Sequence, residues 1–157
     1  MRRFFYVLAV CLVCSGIAQA NDLWSTAVAE RPSDGWKIIH RYIETLDNPS
    51  EKQTYPVAVT FTWQYNGPNG LPAKSEAESM YKLEDLLDER VEKRGDGKLA
   101  FVSTGNNLRT WTYYVKSEAS FRKALANAAE IARLKVRVSS ANDPAWGQLE
   151  AFKKSVR

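Results

Sequence analysis

Val57-Ala58-Val59-Thr60-Phe61-Thr62-Trp63-Gln64-Tyr65 sets large apolar residues at every odd position and small or polar ones between them. That period of two is the signature of a strand with one buried and one polar face. Downstream, the turn residues Asn66-Gly67-Pro68-Asn69-Gly70 give way to a period of three and four. Met80, Leu83, Leu87 and Val91 form an apolar stripe, while Glu84, Asp85, Asp88 and Glu89 occupy much of the remaining surface. Ser75, with Glu78 three residues on, offers a capping box for this helix, and Gly95-Asp96-Gly97 stops it after about Arg94. Leu99 to Thr104 and Leu108 to Lys116 flank Gly105-Asn106-Asn107, whose tolerance of positive φ predicts a hairpin. A second helix is expected from Ser117 to about Ala132 over Phe121, Leu125 and Ala128. The alternation of Leu134-Lys135-Val136-Arg137-Val138 then predicts a last strand.

Two further segments flank this core. Trp24 to Arg31, the turn Pro32-Ser33-Asp34-Gly35 and Trp36 to Thr45 predict an N-terminal hairpin. Asp143-Pro144 predicts a short C-terminal helix with Asp143 as its N-cap and Trp146, Leu149 and Phe152 on its apolar side. The central order of strand, helix, strand, strand, helix, strand (βαββαβ) is that of an α+β, ferredoxin-like split βαβ core with both helices on one sheet face. The sequence shows no repeat and no domain boundary, so a single domain is expected over 21–157.

The segment 1–20 has a different character. Met1-Arg2-Arg3 is basic, Phe4 to Ile17 is uncharged and apolar, and Ala18-Gln19-Ala20 supplies the small residues a signal peptidase reads. The apolar run is shorter than the ~20 residues a membrane-spanning helix needs. We therefore expect a cleaved secretory signal, a periplasmic or secreted bacterial location and no stable membrane anchor after cleavage. Val10 and Val13 precede Cys11 and Cys14, where a lipoprotein signal carries a small residue, so lipidation is not expected. Cleavage would remove both cysteines and two of the 22 basic residues, leaving a thiol-free, weakly basic domain that relies on an ordinary core. In that compartment neither nucleic acid nor a nucleotide cofactor is an expected partner.

Candidate chemistry is sparse. His40 is the only histidine and lies among the large side chains of a strand pattern. A histidine-rich metal site and a Cys-His nucleophile are thereby excluded from the domain, and no metal or cofactor is expected. Glu84 and Asp88 stand one helical turn apart, within reach of a cation or a glycosidic bond, but acidic residues on a helix are more often its solvated side. If Leu134, Val136 and Val138 point inward, Lys135 and Arg137 share the opposite sheet face with Thr60, Thr62, Thr110, Thr112 and Tyr114. That platform could hold an anionic or carbohydrate ligand, unless it is simply solvated or is covered by the first hairpin and the last helix. Of the five tryptophans, Trp24, Trp36, Trp63 and Trp111 are expected in the core, and Trp146 is expected either to dock or to be presented for binding.

Gly70-Leu71-Pro72, Leu83-Glu84-Asp85, Thr104-Gly105, Arg109-Thr110-Trp111-Thr112-Tyr113-Tyr114-Val115 and Asp143-Pro144-Ala145-Trp146, in that order, span roughly Tyr55 to Phe152. In these motifs the chain resembles a largely bacterial family catalogued as domain of unknown function 695. The resemblance implies no activity. It singles out Glu84, Arg109, Asp143 and Trp146 as distinctive positions, beside Tyr114, Lys135 and Arg137 from the sheet face.

With no catalytic constellation, metal cluster or cofactor loop in view, the expected function is that of a non-catalytic module binding a partner protein or envelope component. A small periplasmic hydrolase or carbohydrate-active protein using Glu84 and Asp143 is the first alternative. A polyanion-binding module using Lys135 and Arg137 is the second.

Overall fold

A computed structural model describes residues 21–156. The expected signal segment, with Cys11 and Cys14, lies outside the described residues. Six strands form one antiparallel sheet: β1 Leu23–Glu30, β2 Lys37–Thr45, β3 Val57–Gln64, β4 Gly97–Gly105, β5 Leu108–Val115 and β6 Arg137–Asn142, in the order β1-β2-β4-β5-β3-β6. Among the described residues four α-helices accompany them: α1 Glu51–Thr54, α2 Lys74–Leu87, α3 Glu118–Ala132 and α4 Gly147–Ser155. The fold is thus a mixed α/β one. Among the described residues no helix is long and apolar enough to cross a membrane.

Strand β3 lies between β5 and β6 and turns Val59 and Phe61 to one face, as its alternation predicts. Val59 and Phe61 are fully buried against Met80, Leu83, Leu87 and Val91 of α2 and its extension and Phe121 and Leu125 of α3. Phe61 stacks on Trp111 at 4.9 Å between ring centres, and Tyr113 and Phe121 continue the aromatic layer. The two-residue turn Asn106-Asn107, both at φ between 50° and 60°, joins β4 to β5 by pairing Gly105 with Leu108. Two consecutive positive φ values match the right-handed twist of the flanking strands, and asparagine adopts them at low cost.

Several boundaries differ from expectation. Helix α2 starts at Lys74, and its first turn is capped by Glu76, whose carboxylate accepts the Ala73 N–H at 2.8 Å, rather than by Ser75 and Glu78. A single π turn, Asp88–Glu92, carries it on before the positive φ of Gly95 ends it. The last strand begins at Arg137, because the chain leaves α3 through Arg133 at φ 59° with Leu134 buried beneath it. The N-terminal hairpin covers neither sheet face. It pairs β2 with β4 and so widens the sheet by two strands.

The second sheet face is closed at one end by α4. Tyr114, Ala58, Ala100 and Phe101 pack there against Trp146, Leu149 and Phe152. The tryptophans sort differently from expectation: Trp111 and Trp146 are fully buried, Trp36 and Trp63 only partly so, and Trp24 is exposed. Arg31 lies over Trp36 at 4.5 Å and Arg41 over Trp24 at 5.5 Å, so these two rings are shielded by guanidinium groups rather than by core.

Candidate functional site

Glu84 is one turn beyond Met80, so the apolar stripe that docks α2 also carries this carboxylate onto the sheet. Three residues meet it there. Pairing sets Arg41 of β2 opposite Val102 of β4, and Val102 opposite Trp111 of β5. Arg109 lies two residues before Trp111, on the same face. The Glu84 carboxylate accepts from Arg41 Nη2 at 2.7 Å, from Trp111 Nε1 at 2.7 Å and from Arg109 Nη2. Arg109 Nη1 donates to Thr104 Oγ1 at 2.8 Å across the β4–β5 ladder, and among the described residues its Nε has no partner.

Side-chain exposure is 9% for Arg109, 13% for Glu84 and 43% for Arg41. Burial by itself pushes the Glu84 carboxyl up. The charges of Arg109 and Arg41 and the hydrogen bonds from Arg109 and Trp111 outweigh it and hold the group below its ordinary value. Glu84 and Arg109 therefore neutralise each other inside the fold, while Arg41 adds a second, half-exposed cation at the edge of the pair. One positive charge is left over.

That charge borders a groove of about 410 Å³ between α2 and the part of the sheet that the hairpin adds. Thr26, Ile39 and Arg41 form its floor, and Leu71, Pro72 and Tyr81 its far wall. Val28, Ile39 and Tyr81 are exposed apolar side chains around it. Because α2 covers β4, β5 and β3 but not the hairpin, the face of β1 and β2 is left open beside a buried ion pair. The arrangement presents a cation over an apolar floor.

Of the positions singled out from the sequence, Glu84 and Arg109 meet here. Tyr114, Asp143 and Trp146 meet on the other face. Trp146 stacks on Tyr114 at 4.0 Å with planes 8° apart and donates Nε1–H to the Tyr55 carbonyl at 3.0 Å. The Tyr114 hydroxyl donates to Asp143 at 2.7 Å and accepts the Leu149 N–H at 3.3 Å. Asp143 also accepts the N–H groups of Gly147 and Gln148, each at 2.8 Å. Asp143 is not the N-cap residue, which is Trp146: α4 starts at Gly147 and Pro144 lies in the turn before it, so Asp143 reaches the first N–H groups of the helix from three residues upstream of that cap. Burial raises the Asp143 carboxyl; the N–H donors at Gly147 and Gln148 and the Tyr114 hydroxyl overcome this and lower it overall.

The expected platform of Tyr114 with Lys135 and Arg137 is therefore divided. Tyr114 is sealed beneath α4, whereas Lys135 and Arg137 are exposed, with Arg137 beside Thr62 on the sheet and both lining a shallow hollow at the β6 edge. Glu84 and Asp143 lie on opposite faces of the sheet and do not converge. Glu84 and Asp88 do not share a site either, since Asp88 pairs with Lys93 at 3.2 Å. His40 bonds Ser103 Oγ at 2.9 Å and meets the edge of Phe152, and burial lowers its pKa. Among the described residues no group of three or more His, Cys, Asp or Glu side chains is placed to hold a metal ion.

Arg41 and Tyr81 were not expected at a site. Arg41 had a legible signal: Ile39, Arg41 and Ile43 share a parity, so a charge interrupts an apolar row, which marks an inward-facing charge or a bulge. Tyr81 sits one residue off the α2 stripe, a position that periodicity alone assigns to solvent.

No curated protein and no solved structure matches the chain. A family model does match, over residues 24–152, which takes in both side-chain clusters. The chain belongs to that family, described as a family of unknown function, DUF695.

Proposed function

We propose that this chain is an exported, non-catalytic binding module of the bacterial envelope. In this reading its groove beside Arg41 receives an anionic group carried on an apolar body, presented by an envelope component or a partner protein. The observation that supports it most is the surplus charge: two guanidiniums share the single carboxylate of Glu84 at the border of an otherwise largely apolar groove. A buried charge pair is costly to build. Placing one at the wall of an open groove is understandable if the surplus cation is used. The pattern of residues 1–20 supports export.

The separation of Glu84 from Asp143 by the sheet weighs against a two-carboxylate hydrolase, since acid and base must flank one bond. We also read β3 to β6 with α2 and α3 as a ferredoxin-like split βαβ unit widened by the hairpin. The antiparallel order β4-β5-β3-β6 supports that reading.

The test uses 4-phenylbutyrate and its neutral amide as probes, titrated calorimetrically at low salt. The acid is expected to bind at least about tenfold more tightly than the amide, and Arg41→Ala to abolish the difference. Equal binding of acid and amide, or no binding of the acid, contradicts the reading.

A further inference from the structure

Among the described residues, the outer edge of β1 pairs with no other strand. Natural sheets blunt their edges with charges, prolines, bulges or short strands, because free N–H and C=O groups recruit another strand. The opposite edge, β6, is short and begins with Arg137. Strand β1 has eight residues, Leu-Trp-Ser-Thr-Ala-Val-Ala-Glu, and no charge or proline from Leu23 to Ala29. The irregularity in its pairing with β2 falls at Leu23/Trp24, where β2 supplies the extra residue, so β1 itself stays regular. Leu23 and Val28 are each 60% exposed and Trp24 37%.

We propose that β1 pairs antiparallel with β1 of a second copy of this chain, about a two-fold axis through Thr26, to make one continuous sheet. The argument for this occupant is the self-complementarity of the strand. Trp24, Thr26 and Val28 share the face that carries the groove, with Trp24 beneath Arg41 and Val28 beside Ile39 in the ladder. With Thr26 opposite its own copy, Trp24 falls opposite the second copy's Val28, and the reciprocal pair repeats across the axis. Aromatic and β-branched residues make the favourable cross-strand pairs, and here both are otherwise exposed. The register also sets Ser25 opposite Ala27 and Leu23 opposite Ala29; at each end of the ladder Glu30 then falls opposite Asp22, whose carboxylate is held by Lys98. Because Thr26 is part of the groove floor, each copy's β1 would extend the floor of the other's groove. The pairing does not depend on what the groove binds.

The test is the mass of the full chain, expressed with residues 1–20 in place so that natural processing occurs, by light scattering and sedimentation from ~1 to ~300 µM. The expected result is a monomer–dimer equilibrium for the wild type. Val28→Lys is expected to weaken it at least about tenfold with unchanged circular dichroism and, at a concentration where both proteins are monomeric, an unchanged melting temperature, since that side chain is mostly exposed. Under oxidation Thr26→Cys is expected to give a covalent dimer and Val28→Cys not, because Val28 faces Trp24 rather than itself. A monomer throughout the range, a dimer indifferent to Val28→Lys, or cross-linking through residue 28 in preference to residue 26 overturns the proposal.

Discussion

Trp111 Nε1 donates to Glu84 at 2.7 Å, so an aromatic residue of the core layer and the carboxylate that holds the groove's two arginines are joined by one contact. Through this bond the packing of α2 on the sheet and the electrostatics of the groove become one problem. Glu84→Gln keeps the shape of the side chain and removes the charge that compensates Arg109. Removing one partner of a buried pair costs about 3–5 kcal/mol, so the variant should lose stability of that order in urea unfolding. A change below about 1 kcal/mol would show that solvent already screens Arg109.

The same pair gives acid sensitivity. The folded Glu84 carboxyl is held below its ordinary value near 4.5. Its contribution is therefore fully present above that value and is lost as pH falls through the depressed folded value. Wild-type stability should decline on acidification in that window, and the Glu84→Gln profile should lack this part of the decline. Parallel profiles would count against the assignment.

Glu92 carries the opposite sign. Burial pushes its carboxyl up to about 7, helped by the charges of Asp88 and Glu84 and opposed by the Leu99 N–H and Lys98. The unfolded chain releases this proton near 4.5 and the folded chain near 7, so stability falls as pH rises between the two and is level above. Glu92→Gln should flatten that fall and exceed the wild type at pH 8 by on the order of 2 kcal/mol. A variant less stable than wild type at pH 8 would mean that the carboxylate is compensated in the fold.

Neighbouring tyrosines on β5 face opposite ways and should respond oppositely. Among the described residues the buried Tyr113 hydroxyl has no partner, whereas that of Tyr114 bonds Asp143 and Leu149. Tyr113→Phe should be neutral or stabilising, and Tyr114→Phe should cost about 1–3 kcal/mol. Thermal melts of the two variants compare them directly, and a larger loss for Tyr113→Phe would refute the assignment.

Trp146 closes the second face. Trp146→Ala removes its stack on Tyr114 and its bond to Tyr55, and should cost about 3–5 kcal/mol and free α4. Hydrogen exchange should then quicken from Gly147 to Ser155 while α2 stays protected. Unchanged exchange in α4 would mean that other contacts hold it.

The periodic parts of this molecule were legible in the sequence because their signals are local. The β3 alternation, the Met80-Leu83-Leu87-Val91 stripe and the Gly105-Asn106-Asn107 turn each depend on residues within a few positions of one another. What was not legible depends on distant partners. Nothing local to Trp36 to Thr45 says that it pairs with β4, and without that pairing Arg41 has no reason to meet Glu84, 43 positions away. Alternation assigned Tyr114 to the face opposite the helices, as found, but not the cover α4 places over it. The tryptophans misled for the same reason: period-two spacing gives a face, and whether that face is covered is decided by tertiary packing.

The most direct test of the binding account is the ¹⁵N–¹H spectrum of the arginine side chains during addition of 4-phenylbutyrate, with the Arg41 Nε–H signal assigned by its loss in Arg41→Lys. The account predicts a saturable shift of that signal with the acid and none with the amide. An Arg41 signal that does not move while the acid is added to saturation would contradict it.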